Sequence, residues 1–309
     1  AGSLVVGDEL FLMPQAIPVR IRGLHTQNKE AKSATTGDRC AVNISGQGIE
    51  LDTIHRGNWL TTNPAAATAR VDIELAISSS ETRPFSHWTP VHVHSAANHV
   101  TGRVALLETT DTTKIAPGQK SLAQLVFDSP INLCFGDRVI IRDQAATRTI
   151  GGGRVINTTS PKRGRAKPER IEQLRQMNPG SIKESLTALI LDEKHGIELK
   201  AIRENFNLTG PELVSYLDTS GFDIVSNQLV IPKDRLEAVK VGLIEKLENW
   251  HKSNPGKSGM PRNKIRQMVK SWHQGLFDRI IDGLISSEEL LQDGNLVQRP
   301  GYGVQLNKK

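Results

Sequence analysis

At 309 residues and 37% hydrophobic content, the chain is long enough to bury several cores, and two to four domains are expected. No apolar run nears the ~20 residues that span a bilayer, and the cysteines Cys40 and Cys134 give no disulfide framework; no membrane partner is expected, and a cytoplasmic, reducing setting is. Thirty-nine Lys and Arg against 33 Asp and Glu leave a net charge of +6, which favours a polyanionic partner, although seven Phe, four Trp and two Tyr are few for an aromatic stacking platform. The opening "AGSLVVGDEL" has neither a Met nor a basic leader and reads as the middle of a fold, so a fragment is expected.

Residues 1–160 carry the period of two that marks strands. "IPVRIRGL" (17–24) sets Ile17, Val19 and Ile21 against Arg20 and Arg22. "RCAVNI" (39–44) puts Cys40, Val42 and Ile44 on one face and Arg39, Ala41 and Asn43 on the other. Arg39 follows the turn "TTGD", where a planar guanidinium fork could meet a carboxylate, phosphate or selenolate-like anion, or could simply solubilise the surface. "TTNPAAATA" (61–69) is a plausible seam between two β domains. Beyond it come "VDIELAI" (71–77), "PVHVH" (90–94), "GRVALLE" (102–108), "LAQLVF" (122–127) and "DRVIIR" (137–142), short strands whose closure into a barrel would remove exposed edges. "VDIELAI" turns Asp72 and Glu74 outward. His92 and His94 share a strand face, with His99 five residues on. Three imidazoles can bind zinc, but no carboxylate is placed to complete the site, and histidines facing RNA or another domain are the preferred reading; no metal is expected. "GGGRV" (151–155) has no Lys and no following helix, so it cannot cradle a triphosphate, and a sharp strand turn is expected there.

"SPKRGRAKPER" (160–170) joins this β half to a helical half. It reads either as a solvated linker or as a phosphate-contacting tether, with Lys162, Arg163, Arg165 and Lys167 as RNA-contact candidates; a nuclear localisation signal is a third reading. Then "SIKESLTALILD" opens with a capping box at Ser181 and Glu184, "LKAIRENF" follows, and "LTGPELVSYLDTSG" has a second box at Thr209 and Glu212. Two short strands, "FDIV" and "QLVIP", turn at Ser226-Asn227. Three helices and a β wing make the winged helix-turn-helix order. It recurs in "RLEAVKVGLIEKLENWH", "PRNKIRQMV", "SWHQGLFDRIIDGLISS" (Ser271 and Gln274 at capping-box spacing) and "ELLQDGNLVQRP", an internal repeat. Within 251–281, Lys252, Lys257, Arg262, Lys264, Arg266, Lys270 and Arg279 face one acid, Asp278; this is a nucleic-acid footprint or a merely solvated face, and Lys257, Arg262, Lys264 and Arg266 are the candidates chosen.

The stretch "GDELFLMPQAIPVRIRGLHTQNKEAKSATTGDRCAVNISG…IHRGNWL" resembles the second domain of translational GTPases, and within them the bacterial selenocysteine-specific elongation factors. "PVHVHSAANHVTGRVALLE…LAQLVFDSPINLCFGDRVIIRD" resembles the third domain of the same family, and the basic stretch and tandem winged units follow in the family's order. The resemblance implies two all-β barrel domains, 1–63 (truncated) and 64–160, then two α+β winged-helix domains, 161–234 with the basic linker and 235–309. It implies delivery of selenocysteinyl-tRNA to the ribosome at UGA codons recoded by an mRNA hairpin. By resemblance Arg39 matches an arginine lining the selenocysteine pocket, and Asn43, Ser45 and Gly46 fall near the tRNA 3′ end. His92, His94, His99 and Arg103 become tRNA-contact candidates. The family's GTPase domain, with its GTP and Mg2+, would precede Ala1, so no catalytic residue and no cofactor is expected within these residues. The hairpin would be read mainly by two further winged modules, and a monomer is expected. "ETTDTTKIAPGQKS" (108–121) is longer than the family's hairpin and reads as a mobile polar loop. Two rivals stand beside this: a winged-helix transcription regulator with a β ligand-binding domain, placing the helices near Thr209 and Ser271 in the major groove, and a metal hydrolase built on His92, His94 and His99.

Overall fold

The structure is a computed structural model that describes residues 2–64, 67–108, 114–178, 180–218, 221–226 and 228–302. By contacts the chain divides into two units, Ala1–Asn178 with Glu204–Asn207, and Pro179–Arg203 with Leu208–Lys309.

The first unit opens with β1 (Ser3–Val5), β2 (Glu9–Met13), β3 (Ile17–Thr26), β4 (Lys29–Ala31), β5 (Ser33–Thr35), β6 (Cys40–Ser45) and β7 (Trp59–Thr61). Strands β4, β3, β2 and β7 lie side by side, β6 adds to β3, and β1 pairs with β5. The sheet is open among the described residues, so its barrel character is partial. Leu10, Leu12, Val19, Ile21 and Leu24 fill its core, and the intervening arginines of β3 face out, as the period of two requires.

The second β domain comprises β8 (Thr68–Ile77), β9 (Phe85–Ser86), β10 (Thr89–Ser95), β11 (Asn98–Leu106), β12 (Lys114–Ile115), β13 (Lys120–Ile131), β14 (Arg138–Arg142) and β15 (Thr149–Asn157). Six of them close a barrel in the order β10-β11-β13-β8-β15-β14, while β12 pairs with β9. Of the expected polar loop, residues 109–113 lie outside the described residues, as do 65–66 of the seam. The expected turn at "GGGRV" is instead the middle of β15. A Cβ on Gly151, Gly152 or Gly153 would lie 2.2, 2.7 or 2.5 Å from the carbonyl oxygens of Ala76, Val139 and Glu74. The glycines therefore admit the neighbouring backbones rather than bend the strand.

The basic stretch is not a free linker. Helix α1 (Pro168–Met177) buries Leu174 and Met177 and stays with the β unit. It roofs the outer face of β8, so Asp72, which alternation turns outward, is only 1% exposed. Arg170 Nη2 donates to Asp72 Oδ2 at 2.5 Å, and Gln124 Nε2 donates to Asp72 Oδ1 at 3.1 Å. Arg175 meets Glu108 at 2.8 Å, and Asn178 Nδ2 donates to Glu74 at 2.8 Å. Burial opposes the charge on Glu108, but the Leu122 N–H and the Arg175 guanidinium hold its carboxyl below the ordinary range.

The second unit holds the repeat, except that residues 204–207 of the first copy fall in the first unit. The first copy runs α2 (Ile182–Asp192), β16 (Ile197–Glu198), α3 (Leu199–Phe206), α4 (Gly210–Asp218), β17 (Phe222–Val225) and β18 (Leu229–Pro232). The second runs α5 (Lys233–Ser253), β19 (Met260–Pro261), α6 (Arg262–Met268), α7 (Gln274–Ser286), β20 (Leu291–Asp293) and β21 (Leu296–Gln298). Their three-stranded sheets share one order, β16-β18-β17 and β19-β21-β20. Both capping boxes form, Ser181 with Glu184 and Thr209 with Glu212. The box expected at Ser271 does not: His273 caps α7, its Nδ1 accepting from the Gly275 N–H at 3.1 Å.

Candidate nucleic-acid interface

On the first sheet, the turn before β6 decides what Arg39 does. Asp38 accepts from the Thr35 N–H at 2.8 Å and the Thr35 hydroxyl at 3.2 Å, and Gly37 takes φ +98°. The only acid in that turn is thus spent on the turn itself. Arg39 is exposed and makes no hydrogen bond or ion pair among the described residues. The β3–β6 register sets Arg20 opposite Ser45, Gly23 opposite Asn43 and His25 opposite Ala41, with a bulge at Arg22, whose Nε donates to Ser45 Oγ at 2.6 Å. Arg20, Arg22, His25, Arg39 and Asn43 are all exposed, a basic strip across two strands. Gly46 closes it; a Cβ there would be 2.4 Å from the Pro18 carbonyl oxygen, so its absent side chain serves strand packing. Sequence reasoning placed Arg20 and Arg22 outward but did not join them to Arg39, because cross-strand register was not legible.

On the barrel, His94 lies directly opposite His99, rings stacked at 5.8 Å, and His92 Nε2 is within 3.1 Å of the Gln144 carbonyl oxygen. Among the described residues no three His, Cys, Asp or Glu side chains converge in a way that could hold a metal, which removes the support for the hydrolase reading. Burial, then the charges of His99, Arg142 and His92, pushes the His94 pKa down, which disfavours its charged form. Arg103 is exposed and its Nη1 reaches the Trp88 carbonyl oxygen at 3.4 Å. Lys162, Arg163 and Lys167 are exposed, whereas Arg165 is half-buried with its guanidinium 5.2 Å from the Trp88 ring centroid. Trp88 was missed in the sequence; the available signal was a Trp beside a His in the turn "RPFSHWTP", outside any apolar alternation.

In the second winged copy the cations separate into two sets. Arg262 donates to Asp282 and Asp278 at 2.9 and 3.0 Å; burial works against its charge, but these carboxylates hold its pKa above the ordinary value. Arg266 is spent on Gln274 and on the Val269 and Trp272 carbonyl oxygens. Both guanidiniums also lie over Phe277. These two candidates hold the module together. Lys257 and Lys264 stay exposed, Lys264 with its Nζ 5.7 Å from the Trp250 ring centroid, and Lys252, Lys270 and Arg279 are exposed beside them in sequence.

The helices that a major-groove reader needs are poorly equipped. The α4 sequence, "GPELVSYLD", has no Lys or Arg. The first turn of α7 is covered: Ser226 Oγ donates to the Gly275 carbonyl oxygen at 3.4 Å, and a Cβ on Gly275 would be 3.1 Å from the Ser226 side chain. Val225, Leu229 and Ile231 of the first wing share a core with Leu276, Phe277 and Ile280 of α7. Asn227, at the wing turn, lies outside the described residues.

Comparison with known proteins supplies what geometry does not. The family described as "Selenocysteine-specific elongation factor, beta-barrel domain" matches residues 69–162, and "Elongation factor SelB, winged helix" matches residues 244–298. The selenocysteine-specific elongation factor of Escherichia coli K12 is 32% identical over 270 residues, 87% of this chain and 41% of that protein. The chain belongs to the selenocysteine-specific elongation factor family. Its relative in Desulfomicrobium baculatum, with the same description, is 26% identical over 99% of this chain and 49% of its own length. A solved bacterial selenocysteine-specific elongation factor, EF-Sec, has the same fold at a TM-score of 0.71 and 14% identity, over 96% of this chain and 45% of that one. The chain thus spans two fifths to one half of the length of these relatives. The barrel match covers β8 to β15 and runs into the basic stretch, and the winged match ends at Gln298, the last residue of β21.

Proposed function

We propose that this chain is the tRNA-holding and arm-bearing part of a selenocysteine-specific elongation factor, carrying selenocysteinyl-tRNA to the ribosome at UGA codons recoded by an mRNA hairpin. The observation that carries the reading is Arg39, exposed and without a hydrogen bond or ion pair among the described residues, while its neighbouring acid Asp38 is bound into its own turn and the acids across the sheet face other side chains, Glu9 opposite Arg20 and Glu30 opposite His25. A guanidinium without a partner offers its full fork to an anion, and a selenol, more acidic than a hydroxyl, is an anion at neutral pH. Asn43 and Ser45 on the same face would lie along the tRNA 3′ end, and Arg103 with the exposed Lys162, Arg163 and Lys167 would follow the tRNA backbone. GTP and Mg2+ would act through a domain outside these residues, and the mRNA hairpin would be read mainly by modules outside them as well. The factor would work as a monomer in the cytoplasm; among the described residues no helix is long and apolar enough to cross a membrane.

The test uses the full-length factor. Arg39→Ala should weaken selenocysteinyl-tRNA binding while leaving seryl-tRNA binding near its original level, so discrimination narrows. Equal losses for both charged tRNAs would remove Arg39 from the pocket.

A further inference from the structure

Trp88 lies outside the barrel's core cluster and is 40% exposed, although an indole gains more than any other side chain from burial. Its backbone sits at φ +64° in the turn between β9 and β10, a conformation that bulky L residues seldom adopt. The turn is nevertheless rigid. The Trp88 N–H donates to the Val104 carbonyl oxygen at 2.7 Å, and the Thr89 hydroxyl donates to the Ser86 carbonyl oxygen at 2.7 Å. Around this fixed ring two guanidiniums and an imidazole gather. Arg165 places its guanidinium 5.2 Å from the ring centroid, Arg103 donates to the Trp88 carbonyl oxygen, and the His87 ring lies 6.1 Å away at 24°. Next to Arg165 in sequence, Lys162 and Arg163 are exposed.

We propose that Trp88, flanked by Arg165, Arg103 and His87, is a stacking seat for an unpaired RNA base. An exposed aromatic face takes a base without regard to its identity, and cations beside it take the phosphates on either side. A base entering on the exposed side of the indole extends a stack that Arg165 has already begun. Paired bases present edges and not faces, so the seat selects single-stranded or flipped-out nucleotides over duplex. This rests on the proposed function only in taking RNA as the polyanion.

The experiment titrates the 309-residue chain with a single-stranded RNA of about ten nucleotides, within the span that stacking grooves occupy, and with the same strand annealed to its complement. Tryptophan emission should be quenched by the single strand. Trp88→Phe, which keeps a π face, should hold its affinity within about twofold and lose most of the quench. Trp88→Leu, which keeps bulk but no π face, should lose about tenfold in single-strand affinity and none for duplex. Undiminished quenching in Trp88→Phe overturns the seat, even if Trp88→Leu fails to fold. So does a Trp88→Leu protein that binds the single strand like wild type, or a wild-type chain that binds no single strand. RNA binding that is independent of the indole would remove the seat and leave the carrier function standing.

Discussion

Removing the Arg170 guanidinium tests whether the basic stretch is strapped to the barrel. The Asp72 side chain is 1% exposed and that of Arg170 15% exposed. In Arg170→Ala the carboxylate would keep one neutral donor, Gln124 Nε2 at 3.1 Å, and lose its only charged partner among the described residues. Stranding a buried charge in this way costs about 3–5 kcal/mol, and partial access of water through the Arg170 side points to the lower end, about 3 kcal/mol. For a unit of this size that is a drop of about 6–12 °C in the melting of the β unit. Circular dichroism in the β region reads it. Asp72→Asn removes the charge that Arg170 answers, so the double variant should be milder than the sum of the singles, and the cycle should return a coupling above ~1 kcal/mol. Limited trypsin digestion gives an independent view: wild type should be cut at Lys162 or Arg163, which are exposed, and spared at Arg170 until the guanidinium's own removal frees α1 and opens Arg175. A melting loss of under ~2 °C together with an unchanged digestion pattern would mean that α1 is not held by this pair, and that the stretch is the free linker its composition suggests.

In the second winged copy, Lys257→Ala and Lys264→Ala should each weaken RNA binding and lower the salt slope by about one, whereas Arg262→Ala should chiefly lower the melting temperature, because Asp278 and Asp282 lose their partner. Filter binding across salt concentrations, beside thermal melts, separates the two sets. Stability should also fall in mild acid. Burial leads the causes that hold the pKa of His94, of His195 and of His251 below 6.5, so the unfolded chain takes these protons more readily. Their contribution is complete above the ordinary histidine value and is lost as pH falls below it through the depressed folded values. His251, 4% exposed with its ring stacked on Tyr302 at 3.8 Å, is the place to check: His251→Phe keeps the stack and should flatten the melting-temperature profile between about pH 7 and about pH 5. An unchanged profile would assign the acid sensitivity elsewhere.

What the sequence by itself determined was local. The period of two placed β3, β6, β8, β10, β11, β13 and β14 within a few residues, because alternate residues must face one core. The capping boxes at Ser181 and Thr209 placed two helix starts, because a helix end must satisfy its own N–H groups with nearby side chains. The outward direction of Arg39 also followed from its alternation with Cys40, Val42 and Ile44. Tertiary structure alone decided where distant pieces answer one another. "GGGRV" became a strand because β8, far off in sequence, presses on it from one side while its hairpin neighbour β14 lies on the other. Asp72 became buried, and Arg170 and Arg165 ceased to be free charges, because α1 covers a barrel face that alternation could only call outward. Arg262 and Arg266 were drawn into holding their module by acids and carbonyls around α6 and α7, and Trp88 acquired its cations from β11 and from the strap. Charge in a sequence says only that a side chain needs a partner. Whether that partner is water, a carboxylate of the same chain or a phosphate depends on which surfaces the fold brings within a few ångströms.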